Sequence, residues 1–176
     1  MHLAQFNVAR LRAPLDDPSM RGFVDGLAPI NALADGSPGF VWRLQDDSGD
    51  STAERPYPDD PEVVITLSVW ESVEAVREFV YRSHHVDYLR QRSSWFEPMQ
   101  GYTLVLWWIP AGTLPTIEEA KQRLEKLRDT GPTPEAFTFR RAFPPPGGEK
   151  SQAADRAAHG EPTRSENPGS PEPATR

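Results

Sequence analysis

EVVITLSVWESVEAVREFV, residues 62–80, changes its period halfway along. Up to Trp70 the large apolar side chains fall on both alternations: Val63, Ile65, Leu67 and Val69 on one, Val64 and Trp70 on the other. That is a strand apolar on both faces, and such a strand is covered from both sides. From Ser72 the apolar positions shift to Val73, Val76 and Val80, a helical stripe opened by Ser72 and Glu74. A strand running straight into an amphipathic helix is the unit from which the rest of the chain is read.

Upstream, HLAQFNVA at residues 2–9 sets Leu3, Gln5 and Asn7 against Ala4, Phe6 and Val8. This period of two marks a strand with one apolar and one more polar face. Pro14-Leu15-Asp16-Asp17-Pro18 breaks the chain and places acids at a helix start. Phe23, Leu27, Ile30 and Ala34 then recur at helical spacing until Gly36-Ser37-Pro38-Gly39 stops that helix. GFVWRL, residues 39–44, is a second strand. Residues 45–62 are rich in Asp, Ser and Pro without an apolar period, and form a long, solvent-facing loop.

Downstream, FVYRSHHVDYLRQRSSWF at residues 79–96 continues the helix begun at Ser72. YTLVLWWI, residues 102–109, is a fourth strand, with Leu104, Leu106 and Trp108 on one face and Val105, Trp107 and Ile109 on the other. Pro115-Thr116 with Glu119 predicts a capping box for a helix carrying Ile117, Ala120, Leu124 and Leu127, ended by Gly131-Pro132. FTFRRAF, residues 137–143, is expected to add an edge strand.

The order is strand, helix, strand, strand, helix, strand, with a helix and strand appended. This is the α+β, ferredoxin-like β-α-β-β-α-β arrangement, whose sheet is covered by helices on one face and open on the other. An open apolar face needs a partner, and a second copy supplies one with twofold symmetry. The expectation is a homodimer closing into a dimeric α/β barrel. After Pro144-Pro145-Pro146 the composition changes, and residues 149–176 hold no aromatic, Ile, Leu, Val or Met. Residues 1–146 therefore read as the domain and 147–176 as a disordered polar tail, His159 included.

Composition excludes several classes. The 176 residues contain no cysteine, so no disulfide, thiolate ligand or cysteine nucleophile exists. The net charge of −7 comes without a basic stripe, which argues against nucleic acid. The apolar runs are strand-sized, so no membrane span is expected, and MHLAQFNVARL lacks the regions of a secretory signal. A cytoplasmic protein is the expectation. There is no phosphate-binding glycine loop, dinucleotide fingerprint or nucleophile elbow. His84 and His85 point about 100° apart on a helix and cannot readily chelate one ion, so no metal site is expected.

Five blocks resemble one family: HLAQFNVARLRAPLDDP, INALADGSPGFVWRL, FVYRSHH with LRQRSSWF, LWWIPAG with PTIEEAKQRL, and GPTPEAFTFRRAFPPP. Over residues 2 to about 146 the chain is similar to the family called domain of unknown function 3291, within the dimeric α/β-barrel superfamily of the antibiotic-biosynthesis monooxygenases. The superfamily spans cofactor-free oxygenases, haem-dependent enzymes, isomerases and non-enzymatic dimerisation modules, so the resemblance implies a fold more than a function. Its Tyr-x3-His-x4-Arg-x-Arg-x2-Trp-Phe spacing falls on Tyr81, His85, Arg90, Arg92, Trp95 and Phe96, which selects His85 over His84.

On one continuous helix Tyr81, His85, Leu89 and Arg92 share a face, and His85 is the candidate catalytic group, as general base or haem ligand. Gln5 and Asn7 share a strand face and are candidate ligand contacts, with Trp42 and Trp107 or Trp108 as walls and Asn31 and Arg43 alongside. Tyr81 and Arg92 complete the candidate ligand set. Plainer readings stand beside these: a packed histidine, amides that fix register, a solvated arginine face, and an apolar plug at Trp95-Phe96. Two functions fit. One is an oxygenase or isomerase acting on an aromatic or polycyclic substrate, without cofactor or with haem. The other is a non-catalytic dimeric binding or scaffold module. An enclosed cavity reached by His85, Gln5 or Asn7 favours the first, and a filled barrel the second.

Overall fold

β1 (His2–Leu11) is the central partner of the sheet. It pairs antiparallel with β3 (Val63–Trp70) on one side, and on the other with β5 (Leu104–Ile109) and the two-residue β4 (Phe96–Glu97). β2 (Phe40–Arg43) is added outside β3, giving the order β2-β3-β1-β5. The helices are α1 (Arg21–Asp35), α2 (Val73–Arg82), α3 (His85–Trp95) and α4 (Ile117–Thr130). The computed structural model describes residues 1–82 and 85–147, the side chains of 82, 85–87 and 89 excepted. His84 and the tail from residue 148, with His159, lie outside the described residues. Met1–Pro146 forms one compact unit.

This is an α+β, ferredoxin-like fold, and three of its details differ from the expectation. The helical span expected from Ser72 to Phe96 starts at Val73 and ends at Trp95, with Phe96 in β4; residues 83–84, between α2 and α3, lie outside the described residues. Val73, Val76 and Val80 pack at one end of β1, and Trp95 packs at the other. The expected strand at 137–143 reduces to isolated bridges, Leu106 with Phe137 and Thr138 with Arg141, followed by the three prolines that cannot extend a ladder.

The third difference concerns the open face. Ala4, Phe6 and Val8 share a face with Ile65, Leu67, Val69, Val105 and Trp107, and α4 lies on it through Ala120, Leu124 and Leu127, all three fully buried. Tyr57 and Leu44 pack against the same cluster, and the buried Ser51 hydroxyl donates to the Ile65 carbonyl at 2.7 Å. The loop and α4 therefore close the face from which a face-to-face barrel was expected. A cover carried on the same chain also avoids the entropy lost in association. The loop is thus less solvent-facing than its composition suggests. Its end is held by an Arg10–Asp60 ion pair, with Glu62 and Glu97 at 3.7 and 3.9 Å from the same guanidinium.

α4 starts at Thr116, whose Oγ1 accepts the Glu119 amide at 3.1 Å. Only that half of the expected capping box is made. The Glu119 carboxylate is engaged instead by the indole N–H of the buried Trp107 at 3.1 Å and by Arg123 at 3.2 Å. On the other face, α1 carries Gly22 and Gly26 where the rings of Trp95 and Tyr88 lie against it, and a Cβ on Gly26 would fall 2.1 Å from Tyr88 Cε1. The two glycines let α1 and α3 approach through aromatic rings. Among the described residues no helix is long and apolar enough to cross a membrane.

Burial pushes the Tyr57 phenol above its ordinary value of 10.0, while the Lys121 ammonium stands 5.2 Å from its ring centroid. The folded state therefore holds this proton to higher pH than the unfolded state does. Its contribution to stability is complete below the unfolded value and is lost as pH rises through the folded one. Urea unfolding from neutral to strongly alkaline pH is expected to show stability falling beyond about 10, and Tyr57→Phe should make that fall shallower.

Candidate functional site

The helix-side face of the sheet carries an uninterrupted polar band. β1 contributes Leu3, Gln5, Asn7 and Ala9 to this face, and the register sets Trp70, Ser68, Thr66 and Val64 of β3 beside them. β5 adds Trp108, Leu106 and Leu104, and β2 adds Phe40 and Arg43. Along the strands, an apolar row of Phe40, Trp70, Leu3 and Trp108 gives way to Arg43, Ser68 and Gln5. Thr66 and Asn7 follow, and then Val64 and Ala9 return to apolar character.

Among the described residues the helix-side core falls into two clusters. One joins Leu3, Trp70 and Leu106 to Val73, Val76 and Val80 of α2 and Ala34 of α1. The other joins Leu11 and Val64 to Met20, Trp95, Phe23 and Tyr88. α1 contributes to both, with Phe23 in one and Ala34 in the other. Leu27 and Ile30 of the same helix are partly buried. Thr66 is exposed although it sits on an inner strand. The band is thus a polar floor open to solvent at Thr66, and a few polar groups among apolar neighbours are the composition of a small-molecule site.

The floor is only partly satisfied from within. The Trp70 indole N–H donates to Ser68 Oγ at 2.9 Å, and Ser68 Oγ–H donates to Gln5 Oε1 at 3.2 Å. Among the described residues, Gln5 Nε2, the Asn7 amide and Thr66 Oγ1 have no side-chain hydrogen bond. Arg43 closes the β2 end of the band. Its Nε and Nη2 meet Asp35 at 2.8 and 3.1 Å, and its Nη1 donates to the Gly49 carbonyl at 2.8 Å. Asn31 donates to the same carbonyl at 3.4 Å. Arg43 fastens α1 and the long loop to β2, and Asn31 adds a second bond from α1 to that loop.

Other expected members lie elsewhere. Trp42 pairs with Val69 and Trp107 with Ala4, so both belong to the face covered by α4 and cannot wall a pocket floored by Gln5 and Asn7. Neighbouring strand residues point to opposite faces, and a register shift between Phe40 and Trp42 adjusts β2. Trp108 is on the floor's face but in the apolar row, with its indole N–H on the Phe143 carbonyl at 2.8 Å. Tyr81 is 52% exposed, edge-on to Phe139. Arg92 is exposed near the end of α3. Tyr81 is on α2 and Arg92 on α3; the face expected to join them through His85 and Leu89 lies outside the described residues, as do residues 83–84 and the side chains of His85 and Leu89.

The sequence reading passed over Thr66 and Ser68. They interrupt EVVITLSVW two positions apart, the same parity as Gln5 and Asn7, and the antiparallel register sets each opposite one of those amides. Among the described residues no three His, Asp or Glu side chains converge on a metal position. The side chain of His85, the expected haem ligand, lies outside the described residues, and Arg43 is matched by Asp35.

A ferredoxin-like α+β domain with a polar band on the helix-side face of its sheet is the class these observations define. The chain belongs to the family described as domain of unknown function (DUF3291), whose model matches residues 2–154. No curated protein matches it. Among solved structures it is similar to a Pseudomonas aeruginosa protein, at 13% identity and a TM-score of 0.43, covering 62% of this chain and 95% of that one. A Chloroflexus aurantiacus protein described as a candidate antibiotic biosynthesis monooxygenase is similar at 15% identity and 0.40, covering 65% and 98%. A Nitrosomonas europaea protein of unknown function follows at 12% and 0.41, covering 65% and 95%.

Thr66 is exposed, so Thr66→Val is expected to change stability by no more than about 0.5 kcal/mol. Ser68→Ala should cost about 1–3 kcal/mol, because it strands the Trp70 indole N–H. Paired thermal melts of the two variants check the difference in size.

Proposed function

We propose that this protein binds a small, mostly apolar aromatic molecule between β1, β3 and α1, and acts on it as an oxygenase or isomerase. Gln5, Asn7 and Thr66 hydrogen-bond to the polar edge of the molecule, Leu27 and Ile30 cover its apolar face, and His85 handles the proton. In that chemistry an electron-rich substrate, deprotonated by His85, is itself the source of electrons for oxygen.

The observation that carries the reading is the cross-strand row of polar side chains, with Gln5 opposite Ser68 and Asn7 opposite Thr66 on two inner strands. Thr66 is exposed and Gln5 and Asn7 are partly buried, so water satisfies their remaining hydrogen bonds and a ligand that displaces it can take them over. The alternative, a scaffold dimer without a ligand, drew its support from an open sheet face, and α4 covers that face.

Two-dimensional NMR with neutral naphthalene-sized fragments provides the test. Chemical-shift changes should gather on the side-chain amides of Gln5 and Asn7 and on Thr66, and Asn7→Ala should weaken binding about tenfold. His85→Ala should bind the same fragments but lose oxygen uptake with electron-rich fused-ring phenols. Shifts scattered over the surface would remove the cleft, and uptake that survives in His85→Ala would remove the role of that histidine.

A further inference from the structure

The Gln5 amide is held in one of its two orientations by a directional chain of protons. Trp70 is 1% exposed, with its ring set edge-on to Phe40 and stacked on Phe79, each at 5.2 Å between centroids. Its indole nitrogen can only donate, and it donates to Ser68 Oγ at 2.9 Å. Ser68 then has a single proton to give, and its Oγ–H donates to Gln5 Oε1 at 3.2 Å. The chain therefore runs from indole N–H to hydroxyl to amide oxygen; a turned amide could meet only the second lone pair of the hydroxyl and would take this acceptor away from the Ser68 proton. An amide whose oxygen is engaged on the Ser68 side turns its nitrogen the other way, and both of its N–H groups are left to donate. Polarisation through the chain strengthens that donor.

We infer that Ser68 and Trp70 are positioning residues that fix Gln5 as an N–H donor, and that the bound molecule meets it with the carbonyl oxygen of an uncharged ligand. The lack of charge follows from the floor. Among the described residues its remaining members are an amide and a hydroxyl, and the cation beside them, Arg43, is matched by Asp35. This rests on the proposal that the cleft binds a small molecule.

The test compares 1-tetralone with tetralin, which differ by one carbonyl, in NMR titrations of the full chain. The protein is expected to bind the ketone about tenfold more tightly. Ser68→Ala should bring the two within about twofold and move the Trp70 indole resonance even without ligand. Ser68→Thr, which keeps the hydroxyl, should keep both the preference and the resonance. Gln5→Glu, which still accepts from Ser68 but has no N–H, should lose the preference. Equal binding of ketone and hydrocarbon to the unaltered protein would overturn the carbonyl assignment and leave the cleft. A preference that persists in Ser68→Ala would overturn the positioning role. Absence of any shift at Gln5, Asn7 and Thr66 with either compound would overturn the cleft proposal and this inference with it.

Discussion

The register between β1 and β3 is the constraint on which everything else depends. It sets Gln5 opposite Ser68 and Asn7 opposite Thr66, so four polar side chains meet on one face. It also sets Phe6 beside Leu67 and Val8 beside Ile65 on the other. Because the side-chain period is two, a slip of one residue would drive Gln5 and Asn7 under α4 and lift Phe6 and Val8 toward the helices of the cleft. Such a slip buries unpaired amides in the tightest part of the core, which is why the register is strongly specified. The same pairing that holds the sheet together therefore assembles the polar floor.

Division of labour between the faces follows. The α4 side is continuous and apolar, with its buried indole satisfied by Glu119 and the long loop pinned across it. It carries the stability of the domain. On the other side the described residues fall into two clusters, and α1 contributes to both. Pro29 lies within α1, between Leu27 and Ile30, and removes one backbone donor from that turn.

Much of the fold was legible in the sequence. Strand parity at residues 2–9 and 104–109, the valine stripe of α2 and the Thr116 cap all follow from local periods. What was not legible depended on distance along the chain. Nothing near residue 117 says which sheet face α4 will cover, and α4 lies on the second face. In the candidate site, Gln5 and Asn7 stood out because a polar alternation is unusual in a strand. Thr66 and Ser68 were hidden by the richly apolar strand around them, and their importance appears only across the register. Trp42 and Trp107 were drawn in because large aromatics suggest a pocket wall, but parity sends both to the opposite face.

The central claim is that the floor between the two helix-side clusters is open rather than packed. Hydrogen exchange of the Gln5 and Asn7 side-chain amides, read by NMR in the ligand-free protein, tests it most directly. Rapid exchange with water at Gln5 Nε2 and at the Asn7 amide, while the Trp107 indole N–H stays protected, is the expected result. Protection of both amides equal to that of Trp107 would mean that the helices close over the band, and the cleft would be refuted.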